Sequence, residues 1–350
     1  MIDLPLLHRL VGVDDAATPR ELVRETRTRY GSFTHLVLSV LARDGFPLGT
    51  GSRDELRRAR LRSVTYADAL RMIQAVARAR VLKGPSLARL YPSELVRAVG
   101  DLDVVVPDED SLWRCMRVLT EAFPVTDIDI SLVEGPRRHV FASAHWPSED
   151  PVLDAEMCVE VSTAAYPGDS GSVGIRAEPP AVPLLADLIA LAEERFQRPF
   201  QPKDAIDIIV MSSQAELADR ELAALIDDYR VAPEVLELLE YVSSYHPLGP
   251  VLSELAAGLR SRAERERQRR AADPGQEAVT QDVGARLRDG QLVYGLALRR
   301  TSWRDDLRTA QAEYFGEGYF LHTPVGDYLL VASGEVESTL YEAAMAALVA

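Results

Sequence analysis

Apolar residues recur at three- and four-residue spacing through the first 75 positions, in "TPRELVRETRTRY", "SFTHLVLSVLARDG" and "YADALRMIQAVARAR", and that period predicts helices. From about residue 76 the pattern changes. "GDLDVVVP" runs into an unbroken apolar stretch expected of a buried strand, and "DEDSLWRCMRVLTEAF" reads as a helix with an acidic first turn. "VTDIDISLV", "RHVFASAHW" and "AEMCVEVSTA" alternate like half-buried strands. "GDSGSVGIRAEPPAVP" is a turn-rich break, after which "LLADLIALAEERF", "PKDAIDIIVMSS", "ELADRELAALIDDYR" and "APEVLELLEYVSSY" return to helical spacing. "LRSRAERERQRRAADPGQE" is a charged helix end running into a polar linker. In the tail, "QLVYGLALRR", "GYFLHTPVG" and "DYLLVASG" are strand-like, and "EVESTLYEAAMAALV" is an amphipathic helix. This order predicts an α+β protein: an N-terminal helical region at 1–75, a mixed-sheet core at 76–178, a helical domain at 179–282 and a small C-terminal α/β unit at 283–350.

Composition adds limits. The chain has 350 residues, 47% of them hydrophobic and 27% charged, which supports sizeable cores. A formal net charge of −15 argues against general nucleic-acid binding through a basic surface. No apolar stretch approaches the ~18 residues of a membrane span. "MIDLPLLHRLVGVDD" is too acidic and short for a signal peptide, so the expected setting is cytoplasmic with no membrane partner. Cys115 and Cys158 are the only cysteines, and both are expected to be small core residues. Lysine occurs only at Lys83 and Lys203 among 39 basic residues. A compact ammonium can sit where a guanidinium fork cannot, which draws attention to those two positions.

The chemistry is concentrated around "RAVGDLDVVVP". Strand alternation puts Asp101 and Asp103 on one face while Leu102 points to the other. Two neighbouring carboxylates repel unless a cation sits between them, and an all-oxygen set suits magnesium or manganese. The plain alternative is an exposed strand end with solvated aspartates. Upstream, in "VLKGPSLARLYP", Gly84 ends a short apolar segment and Pro85 and Ser86 can open a helix. Free backbone N–H groups at such an opening suit phosphate oxygens, and Lys83 adds charge.

Together these residues resemble a family. "VLKGPSLARLYPSELVRAVGDLDVVVP" is similar to the signature of the uncharacterised bacterial nucleotidyltransferases of the DNA-polymerase-beta superfamily, through Lys83, Gly84, Leu87, Leu90, Tyr91, Pro92, Arg97, Gly100, Asp101 and Asp103. The close match covers about 27 residues, and a looser one extends over 76–215. The resemblance implies a nucleotidyltransferase-fold core. It also implies Mg²⁺ (or Mn²⁺) held by Asp101 and Asp103, and a third carboxylate on a later strand. Glu160 in "MCVEVSTA" stands in the right order, although Ser162 occupies a place where the family often has His; Asp127 and Asp129 in "TDIDIS" compete for the role. "RFQRPFQPKDAIDIIVMSS" resembles the helical segment that closes such sites, which would bring Lys203 to the triphosphate or the acceptor; a solvated first-turn lysine is the alternative. Gly84 and Ser86 would hold the β and γ phosphates, with Lys83 or Lys203 balancing charge, and Arg97 would brace the loop before Asp101.

The implied reaction moves a nucleoside monophosphate from a nucleoside triphosphate to a small molecule, a protein or peptide side chain, or an RNA end. A tRNA acceptor fits some relatives but sits poorly with the negative charge. A non-catalytic binding or scaffold protein on the same fold is the competing class. His139 and His145 lack a completing cysteine or acid in sequence and are expected to be structural, and "GDSGSVG" lacks the lysine and helix of a phosphate loop.

Overall fold

The computed structural model describes residues 2–169, 171–214, 217, 221–272, 280–300, 303–334 and 336–349. Part of "ELADRE" and the linker expected at 273–277 lie outside the described residues. The chain is a mixed α/β protein that divides into two compact units, each built from separated stretches.

Unit 1 comprises residues 1–67, 81–100 and 171–275 and is helical. It contains α1 (Leu4–Val11), α2 (Pro19–Arg29), α3 (Phe33–Arg43), the greater part of α4 (Thr50–Val76), the short α5 (Gly84–Ala88), α7 (Pro183–Gln197), α8 (Pro202–Met211), α9 (Leu222–Asp228), α10 (Ala232–Ser243) and α11 (Pro250–Ala272). The helix ends follow from local chemistry. Asp3 caps α1 through the Leu6 amide, Gly12 ends it at φ 74°, and Thr18 and Glu21 close a reciprocal capping box on α2. α10 is the hub, packed against α7, α8, α9 and α11, and its Val235, Leu238 and Leu239 are fully buried.

Unit 2 comprises residues 68–80, 101–170 and 276–350. Its strands are β2 (Leu102–Val105), β3 (Asp127–Val133), β4 (His139–Trp146), β5 (Met157–Ser162), β6 (Leu292–Arg300), β7 (Gln311–Tyr314), β8 (Tyr319–Thr323) and β9 (Gly326–Val331); β1 (Arg80–Leu82) spans the boundary in sequence. α6 (Glu109–Ala122), α12 (Val283–Arg288) and α13 (Ser338–Val349) complete it. The strands run β2-β5-β4-β3-β6-β9-β8-β7 within one mixed sheet. β2 and β5 are parallel and the other registered pairs are antiparallel. Because β6 pairs with β3, the C-terminal strands continue the sheet of the earlier ones.

Alternation gives this sheet two unlike faces. Leu102, Val104, Ile128, Ile130, Val140, Ala142, Val159 and Val161 are buried on one face, where α6 packs against β4 and β5. The intervening residues include Asp103, Asp129, Ser143, His145, Cys158 and Glu160, and they form a polar face. At the other end of the sheet, Phe320, Leu329 and Val331 pack with Ala344 and Leu340 of α13.

Candidate functional site

The parallel register of β2 and β5 sets Asp103 opposite Glu160, both half-buried on the polar face. On the next strand, Ser143 is the register partner of Glu160, with its hydroxyl 3.5 Å from the carboxylate. Asp101 is exposed and immediately precedes β2. Cys158 reports on this cluster: burial pushes its thiol up to about 12, reinforced by Asp101, Glu160, Asp103 and Glu156. All four carboxylates therefore act on one sulfur. With its thiolate so disfavoured, Cys158 is a poor nucleophile. Cys115 is fully buried and its thiol is likewise pushed up to about 12.

Asp127 and Asp129, the competing candidates, lie on β3 beyond β4, three strand positions from β2. At ~4.8 Å per strand that is roughly 14 Å from Asp103, whereas Glu160 is on the adjacent strand. Asp129 instead lies 3.2 Å from Nε2 of His145, whose Nδ1 is 3.2 Å from Glu156. Nδ1 of His139 meets the Thr163 carbonyl at 3.3 Å, and burial lowers its pKa. Among the described residues, no group of three or more His, Cys, Asp or Glu is already gathered as a metal-holding set.

Lys83, Gly84, Ser86 and Lys203 belong to unit 1, where a second polar cluster forms. Lys83 has φ 46° and ψ −138°, a conformation that costs a non-glycine residue about 1–3 kcal/mol. Gly84 follows at φ 41°. Asp187 of α7 holds this turn, accepting the Lys83 amide at 2.7 Å and the buried Ser86 hydroxyl at 2.6 Å. The Lys83 ammonium lies 2.5 Å from Glu194, about two turns beyond Asp187 on the same face of α7. Burial alone would raise the Glu194 carboxyl, but Lys83, Arg198 and Lys203 outweigh it and hold it below its ordinary value. Both lysines of the chain thus bear on one carboxylate.

Arg97 acts as a brace. Its Nε and Nη2 donate to Asp207 of α8 at 2.7 and 2.8 Å, and its Nη1 donates to the Gly84 carbonyl at 3.0 Å. The Tyr91 hydroxyl donates to the same Asp207 at 2.7 Å. The carbonyl of Gly100, just before Asp101, is held separately by the Tyr66 hydroxyl at 2.7 Å and Arg62 at 3.0 Å.

Sequence reasoning missed Asp187, Glu194 and Tyr66; His145 was expected to be structural with no acid beside it, whereas the fold brings Asp129 and Glu156 to its ring. A signal existed for Asp187: a carboxylate inside "LLADLIALA" must be paired if that apolar helix is buried. Tyr66 carried none, since one tyrosine in a helical pattern has no distinguishing neighbour.

No family model matches the chain, and no curated protein matches it. Among solved structures, the crystal structure of JHP933 from Helicobacter pylori is similar at 15% sequence identity, covering 60% of this chain and 95% of that one, with a TM-score of 0.29. At that TM-score the likeness fixes neither fold nor function.

Proposed function

We propose that the polar face of β2 and β5 is the centre of a magnesium-dependent nucleotidyltransferase, which moves a nucleoside monophosphate from a nucleoside triphosphate to an acceptor hydroxyl and releases pyrophosphate. The acceptor is a small molecule, a protein or peptide side chain, or an RNA end. The carrying observation is the register that sets Asp103 against Glu160, with Asp101 two residues before. The donor set fits a hard divalent cation, because it is all oxygen and lies on a half-buried face. Magnesium is commonly held by one or two carboxylates together with substrate phosphates, so a closed protein cage is not required. Asp101, Asp103 and Glu160 would hold it; when bound, it lowers the pKa of an attacking hydroxyl and offsets charge on the phosphates.

Within unit 1, the cluster of Lys83, Gly84, Ser86 and Lys203 is, by the family resemblance, the group that takes phosphate oxygens. Lys83 would then exchange Glu194 for phosphate, and Ser86 would exchange Asp187. Arg97 keeps the Gly84 turn in shape and does not touch substrate. A cytoplasmic setting, where nucleoside triphosphates are supplied, belongs to the same proposal.

The test is incubation of the purified protein with each labelled triphosphate and magnesium, with and without cell extract. Labelled product is expected, and Asp103→Asn or Glu160→Gln should abolish it without changing the circular dichroism. Manganese binding followed by electron paramagnetic resonance should fall in the same variants. Normal turnover by the Asp101→Asn/Asp103→Asn double variant would defeat the reading. A second reading, a non-catalytic nucleotide-binding or scaffold protein, draws on the lack of three gathered ligands among the described residues. Magnesium-independent nucleotide binding without transfer would favour it.

A further inference from the structure

A recess of about 160 Å³ lies within unit 2, between α6 and residues 303–308 of the segment joining β6 to β7. Trp113, Arg114 and Arg117 form one wall, and Trp303, Asp305 and Arg308 form the other.

Both walls are held from behind. Glu109 accepts the Trp113 indole N–H at 3.0 Å and also the amide of Ala310, so one carboxylate fixes α6 and the far end of the segment. Arg138 donates to the carbonyl of the same Ala310. At the near end, the Arg304 amide donates to the Pro324 carbonyl at 3.0 Å and its Nε to the Thr323 carbonyl at 3.2 Å. Its Nη2 reaches Asp327, a fully buried carboxylate that also takes Arg299 and Nδ1 of His322, each at 2.7 Å. Charge-assisted bonds of this kind are strong, and they give the recess its shape before any ligand arrives.

Inside, the guanidinium of Arg117 lies over the Trp303 ring, 5.2 Å from its centroid. Arg117 pairs with Glu121 at 2.9 Å and with Asp305 at 3.4 Å; Arg114 pairs with Asp110 at 3.2 Å. These pairs are exposed and weak; Asp305, at 84% side-chain exposure, also accepts the Trp303 indole N–H at 2.9 Å, a bond an entering anion would have to displace. Arg308 has no ion-pair partner among the described residues. Arg114, Arg117 and Arg308 line the recess with two carboxylates, Asp110 and Asp305, while Glu121, the third acid paired here, is not part of its lining. A phosphate offers three oxygens to three forks where a carboxylate offers two. We propose that this recess binds a small organic monophosphate, its oxygens held by Arg114, Arg117 and Arg308 beside the Trp303 ring.

Two of the chain's three tryptophans line the recess, so their emission reports on it. Titrating the whole protein with glycerol 3-phosphate at constant ionic strength should give a saturable change with a midpoint of roughly millimolar or tighter. Arg308→Ala, at an exposed position that does not threaten folding, should raise the midpoint about tenfold, as expected for losing a bond to a charged group. Glycerol should give no change. Trp303→Phe should lose most of the emission change yet still broaden the ligand's phosphorus NMR line. No saturable change in either signal, an unaltered midpoint in Arg308→Ala, or an equal response to glycerol overturns the proposal.

Discussion

Replacing Asp207 by Asn should markedly weaken unit 1, for reasons visible in the geometry. Asp207 is 1% exposed, and its two oxygens take three donors: Nε and Nη2 of Arg97 at 2.7 and 2.8 Å and the Tyr91 hydroxyl at 2.7 Å. The Arg97 side chain is itself only 12% exposed. Asn keeps the shape but presents one acceptor oxygen and an NH₂ group that must point at a donor. The guanidinium is then buried without a counter-charge, and breaking such a pair costs about 3–5 kcal/mol. Against a total stability of roughly 5–15 kcal/mol, that is a large fraction. Tyr91→Phe removes only one bond to a charged acceptor and should cost about 1.5–3 kcal/mol. Urea denaturation followed by helical circular dichroism reads the loss, with Arg97→Met/Asp207→Leu as the control. That double variant removes both charges and replaces them with apolar bulk, so it should cost far less than the two single changes added together. A loss below about 1 kcal/mol for Asp207→Asn, or strict additivity in the double variant, refutes the assignment of Arg97 and Asp207 as a coupled brace.

Burial pushes the Asp187 carboxyl up from 3.8 to about 6, despite the bonds from Ser86 and Lys83. The folded state therefore binds the extra proton, and this contribution to stability is lost as pH rises from about 4 to about 6. Asp187→Asn should flatten that slope, by no more than roughly 3 kcal/mol at ~1.4 kcal/mol per unit; denaturation midpoints that differ by a constant across the window would refute it. At the other end of the chain, Asp327→Asn should cost roughly 2–3 kcal/mol, less than a fully buried pair because Arg299 is half exposed. It should also speed amide exchange over residues 303–310, since Arg304 loses its anchor; unchanged exchange there contradicts the pinned segment.

Local order was legible where the signal itself was local. The period-two runs "VTDIDISLV" and "RHVFASAHW" became β3 and β4, and the acidic opening of "DEDSLWRCMRVLTEAF" became α6 with Asp108 as its cap. Partnerships were not legible. Lys83 meets Asp187 and Glu194 across separations of 104 and 111 residues, and no sequence period encodes which helix will supply a counter-ion. β6 lies on β3 because a sheet edge accepts any strand of suitable pattern, and alternation says which face a residue takes but not beside whom. The same limit applied to Glu160. Its placement on the polar face follows from Val159 and Val161 on either side, while its register against Asp103 depends on a crossover of more than fifty residues.

Like charges directly opposite each other destabilise a sheet, and Asp is depleted from strands. At ~4.8 Å, two carboxylates repel by about 1 kcal/mol in water and about 3 kcal/mol at an effective dielectric of 20. β2 and β5 set Asp103 beside Glu160 in register, with Asp101 close by. Places where local preference is broken are characteristically functional. A divalent cation converts this repulsion into attraction, which is why manganese affinity in Asp103→Asn and Glu160→Gln decides between a cation site and an incidental strand end. Equal affinity in wild type and both variants would leave the acid pair without a function.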